Sequence, residues 1–387
     1  MKIRRVRLSP YRLPLVSPLQ TAHGLLHERR GWLLELEDDA GAVGRGDACP
    51  FPGLPLAGGQ AGRGFGMESW ARSGDCLRGW APRLLGESAA SRAGLLGEWD
   101  ASLPDAPAGR FAVESALLEL AALTASCSVA KLLADQDGGR PRAAVPVSAL
   151  IGASAESEIR AEVRELRPAG FSTFKLKVGA KSVAEDRRRV TALREALGPE
   201  PRIRLDANGA WSREQARSLW PDLAPLGVEL VEQPVAADDL PGLAELSRAG
   251  GARVAADEAL AEPGGPAEVL AARAADCLVL KPAALGGLTS ALTLAQRARR
   301  AGIDCFVTHM MDSAFGVAAA AHLAAALPAG GPHHGLASAG LFAFDLAPPP
   351  RIEGGRLELA AGPGWGIELD AAGMARARLA EAMEFGA

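Results

Sequence analysis

Residues 172–209, STFKLKVGAKSVAEDRRRVTALREALGPEPRIRLDANG, contain a short apolar run, an amphipathic segment and a second apolar run. STFKLKV and PRIRLDA have the length and composition of strands, and the segment between them repeats apolar residues with a helical period. This order predicts two parallel strands joined by a crossover helix. Lys175 and Lys177 lie in the first strand, where burial makes charge costly unless both side chains face a functional site.

The same unit recurs along the middle of the chain. From Val145 onward, short runs rich in Val, Leu and Ile alternate with amphipathic stretches, which is typical of a parallel sheet. The candidate strands are VPVSALI, STFKLKV, PRIRLDA, VELVEQP, ARVAADE, DCLVLKP, DCFVTHM and HHGLASA, at 145–151, 172–178, 201–207, 228–234, 252–258, 276–282, 304–310 and 333–339. Eight such strands are the number that closes a β/α barrel.

The flanking segments predict other structures. IRRVRLSPYRLPL and GWLLELEDDAGAVGRGDA read as antiparallel strands, with DDAG as a hairpin turn. Residues 52–66 are rich in Gly and Pro and predict a loop, whereas residues 110–135 have a helical period. The tail alternates like a hairpin over 351–370 and predicts a short helix over 371–387, and it could fold back onto the N-terminal strands.

Composition excludes several classes of protein. The 387 residues suffice for a large barrel or two domains, and 48% hydrophobic with 23% charged residues is typical of a globular chain. The net charge of −4 and the scattered basic residues argue against nucleic acid. The N-terminus lacks the apolar core of a signal peptide, and no apolar run reaches about eighteen residues, so no membrane association is predicted. Five cysteines without a C-x-x-C pair favour the cytoplasm over a disulfide framework or zinc site.

Charged residues end five of the candidate strands. Each precedes a turn signal, and the five are Lys177, Asp206, Glu232, Asp257 and Lys281, with successive gaps of 29, 26, 25 and 24 residues. A single charge at a strand end is usually just solvated. Five in phase with the βα repeat predict side chains that converge at the C-terminal rim, where barrel enzymes build their active sites.

Three of these residues predict a metal site. Asp206, Glu232 and Asp257 would repel one another unless a cation lies between them, and hard oxygen ligands suit Mg²⁺, with Mn²⁺ as a substitute. The alternative is a set of salt bridges from these acids to Lys175, Lys177, Lys281 and Arg204. Arg204 should face the same side as Asp206, two residues later. Glu258 should point elsewhere and support the site from behind.

The lysines predict acid–base chemistry. Lys175 and Lys177 share one strand face, and Lys281 should lie across the barrel mouth from them. A divalent cation and neighbouring ammonium groups would lower a lysine pKa, which would make a neutral amine available as a base. Its expected task is to remove a proton from the carbon next to a carboxylate.

These motifs resemble the enolase superfamily, and within it the muconate-lactonizing subgroup. The matching stretches are KLK at 175–177, LDANGAW at 205–211, VEQP at 231–234, DE at 257–258 and KPAALGGL at 281–288. The resemblance implies an α/β fold: a modified TIM barrel, (β/α)7β, over residues 126–354, and an N-terminal α+β capping domain over 1–125 completed by 355–387. It implies metal binding by Asp206, Glu232 and Asp257. It also implies an acid–base pair of Lys177 and Lys281, assisted by Lys175, and supporting roles for Asn208 and Gly286.

Within the subgroup, three stretches resemble the o-succinylbenzoate synthase family. They are PLQTAHGLLHERRGWLLELED at 18–38, HGLASAGLFAFDLAPPP at 334–350 and GGRLELAAGPGWGIELD at 354–370. The resemblance implies dehydration of a succinyl-hydroxycyclohexadiene carboxylate in menaquinone biosynthesis. Lys177 would take the proton alpha to the carboxylate and return it to the departing hydroxide, while Lys281 stays protonated.

Substrate recognition departs from the family pattern. THMMDSAFG at 308–316 stands where a Ser-rich segment with Glu is expected, and Gly46 and Asp47 stand where Gly-Glu is common. We expect substrate contacts from Thr21, His23, Thr308 and Asp312, while His309 either touches the ligand or packs in the core.

Other functions remain open. An N-succinylamino acid racemase or dipeptide epimerase would use Lys177 and Lys281 as opposed bases, although HHGLASAGLFAFD lacks the Asp-x-Asp of dipeptide epimerases. A muconate cycloisomerase is a further alternative, less favoured than the racemase or epimerase. A non-catalytic barrel that binds a carboxylate would not need buried amines. Each alternative takes a small-molecule carboxylate as its ligand, and the sequence leaves a homo-oligomer open.

Overall fold

The computed structural model describes residues 1–21, 24–51, 68–338 and 340–386, without the side chains of residues 20, 21 and 24. The predicted loop at 52–66 and His23 lie outside the described residues, as does the side chain of Thr21. The strands are β1 (Ile3–Thr21), β2 (Gly24–Asp38), β3 (Val43–Ala48), β4 (Ala144–Pro146), β5 (Ala149–Ile151), β6 (Thr173–Lys177), β7 (Arg202–Asp206), β8 (Val228–Glu232), β9 (Arg253–Ala256), β10 (Cys277–Leu280), β11 (Asp304–Val307), β12 (Ile352–Glu353), β13 (Arg356–Glu358) and β14 (Met383–Gly386).

Helices connect most of these strands, and several of them begin at a side-chain cap. Ser182 and Ser212 each start a helix with a capping box, in which the serine hydroxyl accepts from the third residue's N–H. The helices are α1 (Trp70–Leu84), α2 (Arg92–Ser102), α3 (Pro107–Thr124), α4 (Val129–Asp135), α5 (Glu156–Leu166), α6 (Val183–Leu197), α7 (Arg213–Leu223), α8 (Leu240–Ala249), α9 (Gly265–Ala272), α10 (Leu288–Arg300), α11 (Ala314–Ala326) and α12 (Ala371–Ala377). In the described part of the chain, no helix combines the length and apolar character needed to cross a membrane.

The N-terminal sheet is antiparallel, in the order β14-β1-β2-β3. The predicted DDAG turn joins β2 to β3, and Gly41 adopts φ +83° there, a conformation that favours glycine. One face of the sheet packs on α3. Gly44 and Gly46 allow this approach, because a Cβ on Gly46 would lie 1.8 Å from the carbonyl oxygen of Ala112.

The parallel sheet has the order β11-β10-β9-β8-β7-β6-β5, and the sequence placed every one of these strands. Helices α5 to α10 lie between successive strands, so the sheet is curled with apolar side chains buried on both faces. The predicted strand at 333–339 is reduced to two residues. His334 bridges to Val147 and Gly335 bridges to Thr308, which joins the two edges of the sheet.

The tail differs from the prediction in two ways. The hairpin of β12 and β13 pairs with β4 rather than with the N-terminal sheet. The predicted final helix ends at Ala377, and residues 383–386 form β14 against β1. Met383 and Phe385 alternate with period two and pack on the N-terminal core, which favours a strand over a helix there.

The predicted helix at 110–135 is two helices. Ser126 adopts φ +51°, which interrupts the helical backbone, and the hydroxyl of Ser128 accepts a hydrogen bond from Lys131 N–H to start α4. Local hydrogen bonding by serine therefore overrides a continuous apolar period.

Candidate active site

A cavity of about 480 Å³ opens at the C-terminal ends of the parallel strands. Its floor is formed by strand-end side chains, and its walls come from the loops that follow β8, β9 and β11. Leu19 and Phe51, from the N-terminal segment, cover one side. The volume suits a small organic molecule, and the mixed apolar and charged lining is typical of a ligand site.

The strand register brings the predicted floor residues together. Lys177 is paired with Asp206 and Asp206 with Glu232 across β6, β7 and β8. Asp257 and Lys281 follow directly after β9 and β10. All five line the cavity or contact a residue that does.

Lys175 occupies the space between two buried acids. Its Nζ donates to Asp206 Oδ2 at 2.9 Å and to both oxygens of Glu232 at 3.3 Å. Asp206 and Glu232 are each 2% exposed or less. Lys175 therefore offsets part of the negative charge of the two acids, as the predicted salt-bridge alternative requires.

Lys177 has different partners. Its Nζ donates to Asn208 Oδ1 at 2.8 Å and lies 3.4 Å from Asp206 Oδ2, and 41% of its side chain is exposed. Asn208 in turn donates from Nδ2 to Glu258 Oε1 at 3.0 Å. Glu258 lines the cavity, so the expectation that it points away was wrong: a 3₁₀ turn follows Asp257 and reverses the strand alternation.

Lys281 is held more tightly. Its Nζ donates to Asp257 Oδ2 at 2.6 Å, and only 13% of its side chain is exposed. Asp257 is fixed by Gln233, whose Oε1 accepts from the N–H groups of Asp257 and Ala259 at 3.1 Å. Sequence reasoning gave Gln233 no role, although it lies inside the VEQP motif.

The electrostatics of the floor depend on burial and on these pairs. Burial, together with the Asp206 charge, raises the pKa of Glu232, and burial raises that of Asp257 well above its usual value. At Asp206 burial also raises the pKa, but Lys175 and Lys177 outweigh it and the net pKa is lowered.

The expected lowering of lysine pKa values is not present at Lys175 and Lys281. Burial lowers both pKa values. The charges of Asp206 and Glu232 around Lys175, and of Asp257 beside Lys281, outweigh burial, so both pKa values are raised overall. The three carboxylates thus act on the amines as uncompensated anions.

The donor set suits a hard divalent cation. Three carboxylates supply only oxygen ligands, which Mg²⁺ prefers. Asp257 Oδ1 is buried without a hydrogen-bond partner, so an oxygen atom there is left to accept a cation. As the side chains stand in the described residues, no three His, Cys, Asp or Glu groups surround one point, because Lys175 Nζ lies between two of the acids.

The remaining predicted residues are scattered. Arg204 is 1% exposed and stacks over Phe306 at 4.9 Å, and its Nε donates to Glu229 rather than to the floor acids. It therefore lies in the barrel interior below the site. Gly286 lines a separate cavity, where its carbonyl accepts from Arg110 at 2.6 Å.

The segment after β11 contributes more than predicted. Thr308 lines the cavity, with its hydroxyl donating to the Gly335 carbonyl at 2.9 Å. Asp312 lies behind the wall, where its Oδ2 accepts from Met310 N–H at 3.1 Å. His309, Met310 and Met311 form the wall itself. The unusual THMMD segment was the sequence feature that pointed to this wall. Sequence alone did not decide whether His309 contacts the ligand or packs in the core.

The comparisons with known proteins agree on a family. Residues 158–373 match the family described as enolase C-terminal domain-like. The L-Ala-D/L-Glu epimerase of Bacillus subtilis is 31% identical over 327 residues, covering 84% of this chain and 85% of the relative. Muconate cycloisomerase 1 of Rhodococcus opacus is 32% identical over 362 residues, covering 92% and 93%. The structure of N-succinyl Arg/Lys racemase from Bacillus cereus matches with a TM-score of 0.89 and 25% identity over 100% of both chains.

Proposed function

This chain belongs to the enolase superfamily, and from that membership we propose that it removes a proton from the carbon next to a carboxylate, with Lys177 as the base. One observation carries the proposal: Lys177 and Lys281 present two amines to one cavity whose floor is Asp206 and Glu232. Mere binding of an anion would not require buried acids beside those amines.

The roles follow from the contacts. Lys177, in its unprotonated form, is the exposed amine that can reach a substrate carbon, and Asn208 orients it. Lys281 remains protonated beside Asp257 and stabilises negative charge on the substrate. Lys175 offsets part of the negative charge of Asp206 and Glu232.

Asp206, Glu232 and Asp257 would hold Mg²⁺, or Mn²⁺ in its place. When bound, the ion supplies positive charge that stabilises the electrons left on the carboxylate as the proton departs. The buried, unpartnered Oδ1 of Asp257 supports this assignment.

For the reaction itself we propose o-succinylbenzoate synthesis. The C–H bond next to the carboxylate breaks as Lys177 takes the proton, and the ring C–O bond then breaks as hydroxide leaves. Lys177 returns the proton to that hydroxide, so the products are an aromatic ring and water. The unequal surroundings of the lysines support one base and one fixed cation, and the three family-like stretches support this dehydration.

The second candidate is racemisation or epimerisation of an N-acylated amino acid. Relatives named as an L-Ala-D/L-Glu epimerase and an N-succinyl-L-Arg/Lys racemase favour it. Here Lys177 and Lys281 would exchange the proton on opposite faces of one carbon. Because one relative is named as a muconate cycloisomerase, muconate is a further test substrate.

The experiment compares these reactions in one preparation. With Mg²⁺ present, an ultraviolet assay follows aromatisation of the succinyl-hydroxycyclohexadiene carboxylate, and proton NMR in D₂O follows alpha-deuteration of N-succinyl amino acids. Aromatic product supports the synthase. Deuteration without aromatic product would overturn it in favour of the racemase, and no reaction with either of these substrates or with muconate would favour a non-catalytic carboxylate-binding barrel.

The finer architecture is also a proposal. We infer a (β/α)7β barrel over 126–354 whose last strand is the bridging segment at His334 and Gly335, with a capping domain formed by 1–125 and 355–387. The hydrogen bonds of His334 and Gly335 to both sheet edges support the barrel. A cytoplasmic location stays a prediction.

A further inference from the structure

We propose that His309 is a specificity-determining residue that donates a hydrogen bond from Nε2 to a second oxygen of the substrate. The inference rests on the proposed function, because it assumes that the substrate's reacting carboxylate lies at the acidic and cationic floor. It names the class of molecule that the cavity accepts: a carboxylate that carries a further carbonyl or carboxylate oxygen.

The position of the ring comes from the end of β11. His309 follows Thr308 and lines the cavity together with Met310 and Met311. These two methionines offer the ligand no strong hydrogen-bond donor. Within the wall formed by His309, Met310 and Met311, the imidazole is therefore the polar side chain.

A backbone contact determines which ring nitrogen carries the hydrogen. The N–H of Asp312 donates to His309 Nδ1 at 3.3 Å. A nitrogen that accepts a hydrogen bond is unprotonated, so the hydrogen of the neutral ring lies on Nε2. Among the described residues Nε2 has no hydrogen-bond partner, which leaves this donor available to a ligand in the cavity.

The ring is neutral near pH 7. Burial lowers the pKa of His309 to about 4, and the charges of Arg29, Lys281 and Lys175 act in the same direction. A neutral Nε2–H group donates a hydrogen bond without adding a further positive charge to the cavity. The role therefore differs from that of the lysines, which provide charge.

Arg29 fixes the loop that carries the ring. This β2 residue is 1% exposed and donates to four carbonyl groups, two on each side of the interface between the N-terminal sheet and the barrel. They are those of Cys49, Pro50, Met310 and Met311, at 2.7 to 3.2 Å. Asp312 Oδ2 ties the same loop from inside through Met310 N–H. The donor is thus held in place before a ligand arrives, which favours selective binding.

The floor and the wall then recognise different parts of the ligand. The floor holds the reacting carboxylate, where protonated Lys281 supplies positive charge and Lys177 faces the carbon that loses the proton. His309 lies on another strand end, after β11, so it can meet an oxygen elsewhere on the same molecule. A ligand that has the reacting carboxylate but no further carbonyl or carboxylate group gains nothing from this donor.

Calorimetry in the presence of Mg²⁺ measures the affinity for o-succinylbenzoate, which has the further oxygens, and for benzoate, which has only the carboxylate. Wild type is compared with His309→Leu, with His309→Gln, whose amide nitrogen replaces the Nε2 donor, and with exposed His27→Gln as control. We expect His309→Leu to weaken o-succinylbenzoate about tenfold and His309→Gln to restore most of the loss. Benzoate should bind all four proteins alike.

Two outcomes overturn the inference and are distinguishable. Equal binding of o-succinylbenzoate by wild type and His309→Leu, or equal weakening of both ligands, would show that Nε2 reads no second oxygen while leaving the proposed function intact. If wild type binds neither ligand and turns over no substrate, the proposed function fails and this inference fails with it. Imidazole ¹⁵N NMR of wild type checks the tautomer independently, since hydrogen on Nδ1 would contradict the argument.

Discussion

At the scale of single residues, the two rim lysines carry the same group in unequal surroundings. Lys177 is 41% exposed, donates to the Asn208 amide at 2.8 Å and lies 3.4 Å from Asp206 Oδ2, whereas Lys281 is 13% exposed and donates to Asp257 at 2.6 Å. An exposed amine can reach a substrate carbon, whereas a buried amine paired with a carboxylate at short distance is held in place. This contrast is the physical basis for assigning one as the base and the other as the fixed cation.

Replacing the base should remove turnover while leaving the fold in place. We expect Lys177→Ala to lower kcat about a hundredfold to ten-thousandfold, since a positioned base contributes that much. Steady-state kinetics on whichever substrate the wild type accepts provide the measurement. Lys181→Ala, an exposed lysine four residues later, is the control and should retain wild-type kcat. A Lys177→Ala protein with more than a tenth of wild-type kcat would contradict the assignment.

Period and spacing predicted the floor of the site but not its walls. Strand alternation placed Lys175 and Lys177 on one face, and the βα repeat placed Asp206 and Glu232 beside them, because both follow from strand geometry. Gly286 and Glu258 were misplaced since they lie in turns, where no period relates sequence to direction. The orientation of the His309 ring follows from the hydrogen bond that Asp312 N–H donates to Nδ1, a contact that local sequence does not specify.

At the scale of elements, glycine sets how closely β3 approaches α3. A Cβ on Gly46 would lie 1.8 Å from Ala112 O, and one on Gly44 would lie 2.2 Å from Ala116 O. Both obstacles are backbone atoms in a helix and cannot turn aside. The sheet and helix must therefore separate if either glycine gains a side chain.

Gly46→Ala should consequently destabilise the protein. Overpacking of this kind costs about 1–3 kcal/mol, and a clash with backbone lies at the upper end. Urea unfolding followed by circular dichroism measures it. Gly79→Ala is the matched control: Gly79 lies inside α1 with open space around it, so alanine there should stabilise by about 0.5–1 kcal/mol. Equal midpoints for Gly46→Ala and wild type would refute the close approach.

The elements that sequence predicted well are those with long, regular patterns. Strands β6 to β11 were found because each is a short apolar run between segments that form helices. The differences lie in short features: the break at Ser126 and β14 were missed, and the predicted strand at 333–339 is reduced to the bridging residues His334 and Gly335. Each depends on a partner distant in sequence or on one backbone angle, and neither leaves a periodic signal.

At the scale of the whole molecule, His322 links three distant parts of the chain. Its Nδ1 accepts from Ala130 N–H in α4 at 3.0 Å, and Nε2 lies 3.2 Å from the carbonyl oxygen of Trp365 in the tail. The Trp365 ring packs edge-on against the imidazole at 5.3 Å. Protonation would abolish the acceptor, so this junction requires the neutral ring.

The pH dependence of stability should reflect that requirement. Burial lowers the pKa of His322 from 6.5 to about 4 in the folded chain. Below pH 6.5 the unfolded chain binds a proton that the folded chain does not, so stability falls as pH drops towards 4, by about 3 kcal/mol from this group.

Urea unfolding of wild type and His322→Gln at pH 7 and pH 4.5 measures the effect. We expect the variant to be less stable at pH 7, because the junction is disturbed, but to lose less stability on acidification. A variant with the pH dependence of wild type would show that His322 does not titrate as argued.

The pairing of β14 with β1 also bears on how the chain is made. Residues 3–21 leave the ribosome about 360 residues before residues 383–386, which at typical elongation rates is roughly 20 to 70 seconds. Until then one edge of β1 has no strand beside it, and such an edge can pair with another chain. Arg5 and Arg7 lie along that edge, opposite Gly386 and Glu384, and charged side chains on an edge strand disfavour its pairing with a second nascent copy.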